Sequence, residues 1–85
     1  MTRNDNDPRL DKTLVACLDL YFEQLGDQKP HPVYEMVQQA IEPPLLKYAL
    51  SRCQGNLSKT ASLLGLSRNT LRKKLAQYRI AASET

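Results

Sequence analysis

The chain has 85 residues, 41% of them hydrophobic, with no Trp, one Phe and a formal net charge of +3. That length makes one domain near the lower end of what folds alone, so a core completed by oligomerisation is expected. No apolar run approaches the roughly 20 residues of a membrane span, and the polar, acidic N-terminus is no signal peptide.

In chain order, residues 1–9 are polar, with Asn or Asp at four positions, and are expected to form a mobile tail. A first helix is predicted over 10–25. Leu10, Leu14, Cys17, Leu18, Tyr21 and Leu25 recur at helical spacing, Val15 and Phe22 widen the stripe, and Gly26 ends it. The connection 27–32 holds two prolines and His31, which has no acid-base or metal partner in sequence and reads as a loop residue. A second helix is predicted from near Pro32 to about Cys53, with Val33, Met36, Val37, Ala40, Ile41, Leu45, Tyr48 and Ala49 in period. Pro43 and Pro44 interrupt it, each costing ~3 kcal/mol or more. Two readings follow, one kinked helix or two broken ones. The stripe stays in phase across the prolines, which favours a single kinked helix stopped by Gly55.

Asn56 is a suitable N-cap for a third helix over 57–64. Gly65 supplies the left-handed residue that ends it, and Ser67 caps a fourth helix over 68–77. Leu57, Ala61 and Leu64 are expected to face inward from the third helix, and Leu71, Leu75 and Tyr78 from the fourth. Small Ala61 allows a close helix crossing. The other face of the fourth helix carries Arg68, Asn69, Thr70, Arg72, Lys73 and Lys74. This is the pattern of a helix-turn-helix with a basic recognition helix. Residues beyond Tyr78 are expected to fray, with 81–85 as the terminal tail.

Charge supports a polyanion partner. Residues 1–42 hold four Lys/Arg against eight Asp/Glu, whereas 43–83 hold eight Lys/Arg and no acid. A run of charge is usually a solvated face, but its coincidence with the turn spacing and with Arg-Asn-Thr opening the fourth helix points to double-stranded DNA. Cys17 and Cys53 fit no metal spacing and read as small core residues in a reducing cytoplasm, although sequence does not exclude a disulfide between them. No cofactor or metal is expected. Without paired carboxylates, an activated nucleophile or a glycine-rich phosphate loop, the chain does not read as an enzyme.

Glu-Pro-Pro-Leu-Leu at 42–46, Gly-Asn at 55–56 and Leu-Gly-Leu-Ser-Arg-Asn-Thr-Leu-Arg-Lys-Lys-Leu at 64–75 resemble the Fis family, bacterial factors for inversion stimulation. Upstream, Leu-Tyr-Phe-Glu-Gln-Leu at 20–25 and Val-Tyr-Glu-Met-Val at 33–37 are similar to the first two helices of stand-alone members. The resemblance implies an all-α fold of four helices per subunit, with a long kinked second helix and a C-terminal helix-turn-helix. It also implies an intertwined homodimer: residues 10–54 form the dimerisation helices, and Leu14, Leu18, Tyr21, Phe22, Val37, Ile41 and Leu45 fall in the interface. Residues 55–80 form the DNA-binding unit. Base and groove contacts fall on Arg68, Thr70 and Lys73, and backbone contacts on Asn56, Ser58, Ser67, Arg72 and Lys74. Lys59 and Asn69 complete the DNA-facing set.

The function implied is that of a nucleoid-associated protein and transcriptional regulator that bends DNA, with much of its recognition indirect. Pro43 is a departure, adding a second proline to the helix. Ser58 and Ser67 stand where longer polar side chains are familiar. The nine residues before the first helix are too few for the family's N-terminal β-hairpin arm, so stimulation of a recombinase is not expected. Two other readings are the terminal DNA-binding domain of an NtrC-type activator and an interaction adaptor whose basic helix meets an acidic protein.

Overall fold

The structure, a computed structural model, describes residues 8–82. Four helices follow one another: α1 (Pro8–Leu25), α2 (Val33–Arg52), α3 (Leu57–Leu64) and α4 (Arg68–Gln77). The last two have the predicted limits. α1 begins two residues earlier than the expected Leu10, on a proline whose missing amide costs nothing in a first turn. The rest of the expected N-terminal tail, residues 1–7, lies outside the described residues, as do 83–85.

The chain divides into two compact units, residues 1–33 and 34–85. In the first, α1 closes with the Gly26 amide donating to the Phe22 carbonyl, and Gln28 donating to Leu25. The Tyr21 and Phe22 rings meet edge to face at 5.1 Å. The Tyr21 hydroxyl accepts from the backbone amide of His31 at 3.1 Å, tying the loop to the helix. His31 is therefore a loop residue held through its backbone. No described residue of α1 is buried: Leu10, Leu14, Val15 and Phe22 are exposed, and Leu18, Tyr21 and Leu25 half-buried. Cys17 is exposed as well, which corrects its reading as a core residue, while Cys53 is half-buried; both are free thiols. The helical period of α1 is real, but a single amphipathic helix has no second surface within its unit to bury against.

In the second unit α2 is one uninterrupted helix with Pro43 and Pro44 inside it. Neither proline can donate an amide to the carbonyls of Gln39 and Ala40 four residues back. Packing of the following turns offsets that loss. Leu46 and Leu50 from α2, Leu57 and Ala61 from α3, and Leu71 and Leu75 from α4 form one buried cluster. Ala49 is buried too, whereas Ile41, Leu45 and Tyr48, which share the predicted helical period, are exposed. α2 carries two apolar stripes, and α3 and α4 cover the one that runs through Leu46, Ala49 and Leu50.

Backbone geometry sets the corners of this unit. Gln54 (φ 56°) and Gly55 (φ 80°) are both left-handed, and the Gly55 amide donates to Leu50 at 2.9 Å. That six-to-one bond closes α2 one residue earlier than a stop at Gly55 alone. The same device ends α4: Arg79 takes φ 55° and the Ile80 amide donates to Leu75 at 2.9 Å. Ile80 and Ala82 pack against the core, so fraying does not begin at Tyr78.

Candidate nucleic-acid interface

The α3–α4 hairpin is assembled from local capping. The Asn56 Oδ1 accepts from the Lys59 amide at 3.0 Å and fixes the start of α3. The Asn56 carbonyl receives both the amide of Thr60 at 2.9 Å and its hydroxyl at 2.7 Å. Thr60 is fully buried, and its hydroxyl is satisfied by this bond back to the cap. Gly65 adopts φ 74° at the end of α3, a region that favours glycine, and its neighbour Leu66 donates to Ala61 at 2.9 Å. The Ser67 Oγ accepts from the Thr70 amide at 3.1 Å and donates to the Thr70 Oγ1 at 2.9 Å. These two bonds aim the first turn of α4.

At 100° per residue, the buried Leu71 and Leu75 define the inner side of α4. Asn69 and Lys73 then lie opposite, at the outermost line of the helix. Arg72 and Lys74 occupy opposite flanks, Thr70 lies further out on the side of Lys74, and Arg68 lies on the side of Arg72 closer to the inner line, in the first turn of the helix. Arg68, Asn69, Arg72 and Lys73 are exposed, and Thr70 and Lys74 half-buried. On α3, Ser58 and Lys59 are exposed in the first turn and Asn56 is half-buried at the cap. No acidic residue occurs on either helix.

Lys74 is engaged by a side chain of α2. Its Nζ lies 2.8 Å from the Glu42 Oε2, and the Tyr78 hydroxyl donates to the Glu42 Oε1 at 2.6 Å. Both oxygens of one carboxylate on α2 are therefore held by two side chains four residues apart, Lys74 in the last turn of α4 and Tyr78 at its C-cap. The Lys74 hydrogen bond, followed by that from Tyr78, holds the Glu42 carboxyl below its ordinary range. The same bond to Glu42 pushes the Tyr78 phenol up. Sequence reasoning passed over Glu42, although two signals mark it. It is the last acid before the acid-free stretch 43–83, and it lies one helical turn before the buried Leu46.

Two short helices with these caps, a left-handed glycine between them and a basic outer face define a helix-turn-helix. A family profile described as bacterial regulatory protein, Fis family, matches residues 38–78, which span α2 from its sixth residue on and the whole hairpin. A relative from Neisseria meningitidis serogroup A, described as a Fis-like DNA-binding protein, is 44% identical over 71 residues, covering 84% of this chain and 90% of its own. Another from Ralstonia nicotianae, with the same description, is 42% identical over 78 residues, covering 92% of this chain and 96% of its own. The chain belongs to the Fis family.

Proposed function

We propose that the chain binds double-stranded DNA as a homodimer, with α4 of each subunit entering a major groove, and that it bends the duplex as a nucleoid-associated transcriptional regulator. The observation that carries this is the exposed basic surface of α4. Arg68, Asn69, Arg72 and Lys73 are presented together by a rigidly capped helix that carries no acid. An exposed guanidinium in the first turn, at Arg68, suits bidentate hydrogen bonding to guanine O6 and N7, worth ~1–3 kcal/mol of discrimination. Ser58, Lys59 and the Asn56 amide nitrogen at the start of α3 suit phosphate oxygens, which fix position without reading sequence. The names of the Neisseria and Ralstonia relatives point the same way.

The dimer is supported by apolar surface that the single chain leaves uncovered. Leu14, Phe22, Ile41 and Leu45 are all exposed, on apolar stripes that the single chain does not bury. Exposed apolar side chains in such rows mark an interaction surface.

The test is a gel-shift on circularly permuted duplexes, which reports binding and bending together, alongside sedimentation at micromolar concentration. Position-dependent mobility and a dimer mass are expected. A compact folded monomer would refute the dimer, and salt-independent or absent binding would refute the DNA reading.

A further inference from the structure

We propose that Glu42 is a positioning residue for DNA recognition, one that withholds Lys74 from the phosphate backbone and sets the angle of α4 against α2. The inference rests on the DNA-binding reading above and deepens it. By its place on a basic helix Lys74 looks like one more phosphate contact. In the folded chain its ammonium is 2.8 Å from the Glu42 Oε2, with only 25% of the Lys74 side chain and 17% of the Glu42 side chain exposed. Tyr78, the C-cap residue of α4, fills the other oxygen at 2.6 Å. A carboxylate gripped at both oxygens, by a side chain in the last turn of a helix and by its C-cap residue, fixes the end of that helix in rotation as well as in distance.

Transfer of Lys74 to a phosphate is disfavoured by what it would leave behind. Glu42 would keep its negative charge, half-buried, with the Tyr78 hydroxyl and the Gln38 side chain but no cation, on the unit that faces a polyanion. A charge-assisted hydrogen bond in a partly desolvated setting would be exchanged for a solvated contact that salt screens. Lys73, one residue earlier and on the outermost line of α4, is exposed and carries no such liability. Two adjacent lysines in one motif therefore have different jobs: Lys73 meets the duplex, and Lys74 anchors the helix that presents it. Withholding one cation per subunit lowers affinity for any DNA, so a larger share of the remaining affinity depends on base and shape readout.

The experiment measures the full chain on one preferred and one random duplex by fluorescence anisotropy, at several salt concentrations, with far-UV circular dichroism as a folding check. Lys73→Gln is expected to reduce the salt slope by ~1 per subunit. Lys74→Gln is expected to leave the slope at the wild-type value. Glu42→Gln, which keeps an acceptor for Tyr78, is expected to release Lys74. The slope then steepens by ~1 per subunit, random DNA binds more tightly and the preferred-to-random ratio falls. Adding Lys74→Gln to Glu42→Gln is expected to restore the wild-type slope, an outcome that a purely structural ion pair would not produce. Flattening by Lys74→Gln equal to that by Lys73→Gln would overturn the proposal, as would an unchanged slope in Glu42→Gln. Absence of salt-dependent binding by the wild type would instead remove the DNA reading itself, and the proposal with it.

Discussion

Leu71→Ala probes the packing that holds the recognition helix. Leu71 is 0% exposed and sits among the six residues of the buried cluster. Truncation to alanine deletes three carbons, about 2.4 kcal/mol at ~0.8 kcal/mol per methylene. The cavity left in so small a core raises this to about 3–5 kcal/mol. An 85-residue chain has a stability on the order of 4–13 kcal/mol at ~0.05–0.15 kcal/mol per residue. One methyl-lined hole therefore removes a large share of it, and the thermal midpoint falls by roughly 12 °C or more. Leu63 on α3 is the internal control, since it is 58% exposed and its truncation is expected to cost within about 0.5 kcal/mol. Urea denaturation followed by far-UV circular dichroism, at one fixed protein concentration, gives both values. A cost below ~1.5 kcal/mol for Leu71→Ala, or equal costs for the two variants, would show that the hairpin is not held by this cluster.

Three further outcomes are expected. The stability difference between wild type and Glu42→Gln depends on pH at both ends. Because the folded carboxyl titrates below its ordinary range, the contribution of Glu42 is present above the unfolded value near 4.5 and lost as pH falls through the lower folded value. Because the Tyr78 phenol is raised, its contribution is complete below about pH 10 and lost as pH rises through the folded value, so denaturation from pH 3 to 11 should trace a plateau with two falling edges. Thr60→Ser deletes a fully buried methyl and is expected to cost about 1 kcal/mol. Thr60→Val loses the hydroxyl bond to Asn56 but gains apolar burial, and the Asn56 carbonyl keeps the Thr60 amide. Its net change is expected within about 1 kcal/mol of zero, and a larger loss for Val than for Ser in urea would contradict this. Pro43→Ala returns an amide to the Gln39 carbonyl and is expected to stabilise by about 1–2 kcal/mol after the added unfolded-chain entropy is deducted; an unchanged or lower melting temperature would count against it.

The C-terminal half was legible because its information is local. Asn56, Gly65 and Ser67 each act on groups within four residues, so a cap, a left-handed turn and a second cap could be read one after another, and α3 and α4 followed with their limits correct. The all-α class followed from helical periods, and the single helix through Pro43 and Pro44 from a stripe that kept its phase. Other features depend on partners distant in sequence. Periodicity shows that α2 is amphipathic but cannot rank two stripes, and only the docking of α3 and α4 selected Leu46, Ala49 and Leu50 over Leu45 and Tyr48. Arg79 takes a left-handed conformation without being glycine because Ile80 gains a place on the core, a reward invisible from residues 79–82 alone. Lys74 is the clearest case. Helical spacing puts it on the basic face beside Lys73, and the sequence distinguishes the two no further. The carboxylate that separates them is 32 residues away, on another helix, and such an encounter exists only once tertiary packing has brought α2 and α4 together.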